Sequence, residues 1–130
     1  AAAIAAAAIF LSLLPPFRYR PASISDFVYA FGRLESWVEP LSVVDFVFNV
    51  LLFLPLGFAT LSAVTPRRQS RSDASARAVA VFASLVVFSL LLETSQLFVR
   101  GRIAAGSDVL AHSIGTLGGI LCWRAMRQRG

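Results

Sequence analysis

The sequence predicts an all-α integral membrane bundle of about four transmembrane helices, with a short interfacial helix on the outer leaflet. Hydrophobic residues make up 57% of the 130 residues, and the mean hydropathy is +0.73. This is more apolar than a soluble domain, which must cover its core with polar surface. The apolar residues are also gathered into runs close to the length that a bilayer requires. Residues 1–130 are therefore expected to form one membrane domain.

Four apolar runs are the predicted transmembrane helices: residues 1–14, 43–64, 78–98 and 104–123. The middle two reach the ~20 residues that a helix needs to cross a hydrocarbon core of ~30 Å. The first would span only ~21 Å at 1.5 Å per residue, so we expect a retained helix that begins upstream. A cleaved signal peptide is the alternative for that run. The fourth run is more polar at its start.

The arginine residues predict the orientation. The loop 65–77 and the tail after Trp123 together hold seven Arg, and basic loops stay in the cytoplasm. Both termini are therefore predicted to be cytoplasmic, with residues 15–42 and 99–103 on the outer side. The net charge of +5 is explained by these loops, and no nucleic-acid partner is expected.

Residues 26–38 are predicted to form the interfacial helix. Apolar side chains recur there at helical spacing, Ser25-Asp26 can cap the start and Pro40 can end the helix. Aromatic residues in the same segment suit a headgroup layer. An ordinary ordered loop is the alternative.

Each of the last three apolar runs carries ionisable or strongly polar residues at one end. In helices of alternating direction these ends meet on one side of the bilayer, and the turn after the third run adds two Arg. An ionised carboxylate costs ~2.5–3.5 kcal/mol at mid-membrane, so three of them favour a binding pocket over a purely structural role. We expect Glu93 and Asp108 nearest its centre. The predicted ligand-binding set is Asp45, Asn49, Glu93, Gln96, Arg100, Arg102, Asp108 and His112.

Several other roles for these residues stay open. Polar side chains can act only as hydrogen-bonding contacts between helices, each worth ~1 kcal/mol. Arg100 and Arg102 can bind a lipid phosphate in bidentate fashion or simply balance nearby carboxylates. Carboxylates and an imidazole can hold a divalent cation, but the spacing is not metal-specific, so neither a metal nor another cofactor is predicted.

Nucleophilic catalysis finds little support, and the catalytic residues stay unassigned. Ser107 and Ser113 flank Asp108 and His112, but neighbouring positions on a helix do not face each other. An enzyme acting on a lipid-linked substrate remains a third hypothesis.

Small residues recur every fourth position in the last run, at Ala111, Gly115 and Gly119. Such a stripe allows another helix to approach closely. Pro55 is expected to kink the second run. The stripe predicts helix packing, which is either internal or shared with a partner protein.

Three strings resemble the VanZ-like family: NVLLFLPLGF (49–58), LLLETSQLF (90–98) and RIAAGSDVLAHSIGTLGG (102–119). The family pattern is an Asn before a Phe-x-Pro-x-Gly box, a Glu-x-x-Gln, then an Arg, an Asp, an Asn and spaced glycines. The likeness covers about residues 41–121, and His112 stands where the family usually has Asn.

The resemblance implies a small bacterial inner-membrane protein of the cell envelope. The family is named for a member that raises resistance to the glycopeptide teicoplanin without altering the peptidoglycan precursor terminus, and its biochemical mechanism is not established. Our leading hypothesis is a protein that binds membrane lipids or a cell-wall-related ligand in an outward-facing polar pocket. The alternative is a non-catalytic accessory subunit of a larger membrane protein complex.

Overall fold

The computed structural model describes residues 20–38, 42–66 and 71–129. Within these stretches every regular element is helical, which confirms the all-α prediction for this part of the chain. The predicted first span, residues 1–14, lies outside the described residues. The helices are α1 (Ile24–Phe31), α2 (Glu35–Val38), α3 (Val43–Val64), α4 (Arg71–Gln96) and α5 (Gly106–Arg129).

Two of these helices are long and apolar enough to cross a membrane: α3 and residues Asp73–Gln96 of α4. Only 22% of each apolar window is buried within the protein, whereas the core helix of a soluble protein would be mostly covered. Large exposed apolar surfaces of this kind need an apolar surrounding. Among the described residues α5, which contains all but the first two residues of the predicted span 104–123, does not meet the same criterion.

The most extensive packing within the described chain is between α3 and α5. Gly115 and Gly119 of α5 lie so close to α3 that an added Cβ would meet the carbonyl oxygens of Val50 and Leu54. Gly57 of α3 lies in the same way against the carbonyl oxygen of Thr116. Backbone contact at three glycines brings the two helices together along about two turns, as small-residue stripes do in membranes.

An apolar core fills the space between α3, α4 and α5. The helix α3 continues through Pro55, and the buried side chains of all three helices interlock around Phe53, which is fully buried. This core closes the space between the helices next to their polar ends. Its buried members are Phe53, Leu56, Leu61, Ala78, Val81, Leu85, Leu92 and Ile120.

Two predicted boundaries are wrong. The segment 65–77 is not all loop, because α4 begins at Arg71, with Asp73 in its first turn where a negative charge is favourable. The tail after Trp123 continues α5 to Arg129, because it contains no Pro and no Gly before residue 130.

Arginine side chains hold this end of the bundle together. Arg77 of α4 donates to the carbonyl oxygen of Val64 at 3.0 Å, and Arg127 of α5 donates to that of Pro66 at 2.8 Å. The first bond satisfies the last carbonyl group of α3, which has no helical partner, and the second fixes the chain just after the helix.

The predicted single helix 26–38 is two helices. Its cap is Ser23 rather than Ser25, because only Ser23 lies three residues before Asp26. The Ser23 hydroxyl accepts from the Asp26 amide at 3.2 Å, and the Asp26 carboxylate accepts from the Ser23 amide at 2.8 Å. This reciprocal pair is a capping box. Gly32 ends α1.

Residues 20–38, called the outer segment after their predicted location, pack on the turn that joins α4 to α5. Arg20 donates from its backbone amide to the carbonyl oxygen of Phe98 at 2.9 Å and from Nε to that of Leu97 at 3.1 Å. Trp37 lies against Gly106, where an added Cβ would meet the indole ring, and its Nε1 donates to the carbonyl oxygen of Phe31 at 3.0 Å. The segment is therefore fixed to the polar end of the bundle.

Gly115→Ala and Gly118→Ala form a matched pair that tests the close packing of α3 and α5. An added methyl at Gly115 would collide with the Val50 carbonyl oxygen, whereas at Gly118 it would meet only the Leu54 side chain, at 3.8 Å. We expect Gly115→Ala to lower the free energy of unfolding by about 1–3 kcal/mol. Gly118→Ala should leave it unchanged or raise it by up to about 1 kcal/mol, because Ala favours helix more than Gly. Unfolding in mixed detergent micelles measures both, and equal effects would contradict the packing described.

Candidate functional site

A polar cavity of about 310 Å³ lies where the start of α3, the end of α4 and the start of α5 meet. This volume is at the lower end of the range for small-molecule sites, roughly 300–1,000 Å³. The alternating helix directions bring these three ends together. Seven residues of the predicted ligand-binding set line it: Asp45, Asn49, Glu93, Gln96, Arg102, Asp108 and His112.

Arg100 is the exception. It is exposed and does not line the cavity, although it lies two residues before Arg102 in the turn. The turn bends at Gly101, whose φ of 80° is in the left-handed region that favours glycine. Of the two Arg, only Arg102 is placed to meet a molecule in the cavity.

Glu93 forms the inner wall and is 1% exposed. Its Oε1 accepts a hydrogen bond from Nε2 of Gln96 at 2.9 Å, and its Oε2 accepts one from the backbone amide of Ala105 at 3.4 Å. The carboxyl group thus joins the last turn of α4 to the residue before α5. Because internal donors occupy both oxygens, Glu93 acts mainly to hold the cavity in shape.

The other two carboxylates lie closer to the opening. Asp108 is half-buried, and the side chain of Asn49 on the facing helix lies near its carboxyl group. Asp45 is exposed, and its carboxylate receives no hydrogen bond from the described residues. Both carboxylates line the cavity, and Asp45 repels Asp108 electrostatically.

Arg102 is the single cationic side chain in the lining. It attracts Glu93 electrostatically but forms no salt bridge. Both salt bridges within residues 20–38, 42–66 and 71–129 lie elsewhere, at Arg20–Asp26 and Arg33–Glu35 in the outer segment. The cavity thus holds three carboxyl groups and one guanidinium with no ion pair among them.

His112 is held in one orientation at the floor and is 5% exposed. Its Nδ1 is 2.7 Å from the hydroxyl oxygen of Ser89, and its ring stacks on Phe53 with centroids 3.9 Å apart and planes inclined by 22°. The atom left to meet a bound molecule is Nε2, since the ring also lines the cavity.

Ser89 is a residue that the sequence analysis missed. It lies four residues before Glu93, hence on the same face of α4, and this spacing is the signal that would have found it. Glu93 and His112 are the deeply buried members of the lining and Asp108 is half-buried, and the expectation that Glu93 and Asp108 lie nearest the centre stays a prediction.

The hydroxyl groups near the cavity do not form a nucleophilic site. Ser89 is fully buried beneath the imidazole, so a substrate cannot reach it. Ser113 donates to the carbonyl oxygen of Val109 at 2.7 Å. Ser107 is buried, and its hydroxyl has no partner among the described residues. The pair of Ser89 and His112 therefore orients a ring rather than activating an oxygen.

Among the described residues no group of three His, Cys, Asp or Glu is placed to hold a metal ion. The charged side chains are distributed around the cavity lining, where a polar molecule could contact several of them at once.

Comparison with known families agrees with the motifs that line this cavity. A family model described as VanZ/LLP1 matches residues 4–127 and so extends well beyond the motif region 41–121. No curated protein and no solved structure matches the chain. Because the family match covers nearly the whole sequence and confirms the resemblance seen in the motifs, the chain belongs to the VanZ/LLP1 family.

Proposed function

We propose that this protein binds a lipid headgroup or a cell-wall-related ligand in a cavity that opens on the outer face of the bacterial cytoplasmic membrane. The proposal rests on two charged side chains of the cavity lining that have no bonded partner among the described residues. Asp45 has no partner for its carboxylate, and the guanidinium of Arg102 forms neither a hydrogen bond nor a salt bridge with any described residue. Uncompensated charges are costly in a membrane and mark binding sites.

A purely structural role explains only half of these residues. Glu93 and Gln96 are hydrogen-bonded to each other, and the side chain of Asn49 lies near Asp108. Asp45 lies in the first turn of α3, where a negative charge stabilises the helix. None of these contacts accounts for the guanidinium of Arg102 beside the same cavity. A ligand with polar groups at two ends gives Arg102 a partner and also meets Asp45.

In this proposal the membrane domain has four spans, with α3, α4 and α5 as the last three and residues 1–14 as part of the first. Exposed apolar side chains on α1, on α2 and between them support a position for the outer segment against the lipid headgroups. They include Ile24, Phe27, Leu34 and Val38. The hydrogen bonds of Arg77 and Arg127 at the other end fit a cytoplasmic location for the basic residues.

The accessory-subunit hypothesis needs a different surface from the one that the sequence suggests. Ala111 is buried, and Gly115 and Gly119 already contact α3, so the small-residue stripe is not free to dock a partner. A partner protein would have to use the outward side of α5, where Ile114 and Leu121 are exposed. Lipid can cover these exposed apolar side chains as well as a partner protein can, so they do not indicate a partner. Ligand binding is therefore the preferred proposal.

Cysteine labelling tests the orientation. In a Cys122→Ala background, Ser25→Cys in the outer segment should react with a membrane-impermeant maleimide in intact cells. Gln128→Cys should react only after permeabilisation, because its end of the bundle carries the Arg residues that stay in the cytoplasm. Both positions are exposed. Labelling of Gln128→Cys in intact cells to the same extent as Ser25→Cys would overturn the proposed topology.

Two neighbouring tryptophan substitutions test whether the cavity holds a ligand. Leu52 lines the cavity, whereas Leu51 is exposed outside it, so Leu52→Trp should fill the cavity and Leu51→Trp should only enlarge the outer surface. We expect native mass spectrometry of gently purified protein to find a retained lipid or envelope molecule on the wild type and on Leu51→Trp. On Leu52→Trp its occupancy should fall at least roughly tenfold, the loss that ~1.4 kcal/mol of binding free energy produces.

The thermal stability of both variants in detergent provides the control for folding. Equal retention by two equally stable variants would rule out the cavity as the binding site.

A further inference from the structure

We propose that the ligand is an amino-phosphate, with a primary ammonium held between Asp45 and Asp108 and a phosphate held by Arg102. This inference rests on the proposed binding function and adds the chemical class of the ligand. The ligand class follows from two observations. Some polar atoms around the cavity lack a hydrogen-bonding partner among the described residues, and the cavity is lined by Asp45 and Asp108 at one end and by Arg102 at the other.

The acidic end of the cavity, formed by Asp45 and Asp108, favours a cation with several N–H donors. Asp45 and Asp108 line the same cavity and repel each other, and neither carboxylate forms a salt bridge with a described residue. An ammonium carries three donors, so it can bond to both carboxylates and remove their repulsion. A quaternary ammonium has no N–H group and would supply the charge alone.

The basic end of the cavity, formed by Arg102, favours an anion. Arg102 lines the cavity with its guanidinium uncommitted, and guanidinium binds phosphate in bidentate fashion. His112 adds a second donor: when the Ser89 hydroxyl donates to Nδ1, the ring proton sits on Nε2, which faces the cavity. No hydrogen bond to Nε2 from a described residue is found, so this nitrogen of a cavity-lining ring is available to an anion.

Simpler ligands fit less well. A metal ion has no group of three suitable side chains among the described residues. A ligand with anionic charge alone would meet three carboxyl groups against one Arg in the lining. A molecule with opposite charges on neighbouring groups satisfies both ends, and a cavity of about 310 Å³ has room for a compact group of this kind.

Both a lipid headgroup and a free metabolite can carry this chemistry. The experiment therefore uses the full chain in phosphatidylcholine nanodiscs, titrated calorimetrically with soluble phosphoethanolamine, phosphocholine or inorganic phosphate. In parallel, native mass spectrometry counts lipids bound from vesicles of phosphatidylcholine mixed with either phosphatidylethanolamine or phosphatidylglycerol.

We expect the primary amine to be preferred over the quaternary amine and over the ligand without an amine by about tenfold, in either the soluble or the lipid series. Preference in the lipid series alone identifies a lipid headgroup as the source, and preference in both identifies the headgroup chemistry itself. Asp45→Asn should abolish the preference for the amine, and Arg102→Gln should weaken binding of every phosphate compound tested.

Asp45 has no internal hydrogen bond to its carboxylate, so Asp45→Asn should fold normally, as its melting temperature will report. Glu35→Gln is the matched control, because it removes the same charge from an exposed outer residue away from the cavity.

Equal binding of phosphoethanolamine and phosphocholine, or an amine preference that survives Asp45→Asn, would overturn the inference. If Leu52→Trp still displaces some other retained molecule, the binding function stands and only the ligand class is wrong. If Leu52→Trp displaces nothing, the binding function fails as well.

Discussion

The rest of the structure depends on the close contact between α3 and α5. Between helices in lipid the hydrophobic effect supplies no driving force, so association relies on packing and on hydrogen bonds between helices. Gly115 and Gly119 allow this packing at the carbonyl oxygens of Val50 and Leu54. Toward the polar ends of the same two helices lie Asn49, next to Val50, and Asp108, about two turns before Gly115, so the glycine contact sets how far apart these side chains lie.

The cavity exists because the polar and apolar parts of the bundle are separated along its length. Phe53 and the apolar core close the floor, and the ring of His112 stacks directly on Phe53. Glu93 fixes the turn before α5 through Ala105, and the same turn carries Arg102, which lines the cavity. Buried groups with internal partners thus form the frame, and Asp45 and Arg102, whose charged ends have no bonded partner among the described residues, are the ones proposed to meet a ligand.

Periodicity and helix direction were sufficient to predict most of this site. The alternation of the runs places Glu93 at the end of one helix and Asp108 at the start of the next, so their meeting follows from topology. Arg100 could not be separated from Arg102, because the bend at Gly101 decides which side chain turns inward. The partner of His112 was missed because Ser89 looks like an ordinary small residue of an apolar run until α4 and α5 are packed together.

Local chemistry explains the misplaced boundaries. The α1 cap required the reciprocal bonds of Ser23 and Asp26, which the neighbouring Ser25 cannot make at its spacing. The basic charge of residues 65–77 favours a loop. A charged stretch that contains Ala also forms helix readily, however, and α4 begins at Arg71, before the apolar run. The small-residue stripe showed that a helix approaches α5 closely, and only the packing shows that this helix is α3.

The central claim is that a water-filled polar cavity opens to the outer side of this apolar bundle, and accessibility to a hydrophilic reagent tests it most directly. In a Cys122→Ala background, Asn49→Cys lines the cavity and Leu51→Cys faces away from it, two residues along the same helix. A membrane-impermeant methanethiosulfonate should modify Asn49→Cys in intact cells and leave Leu51→Cys unmodified, because only a hydrated thiol ionises and reacts. Modification of both cysteines at equal rates, or of Leu51→Cys alone, would contradict the account.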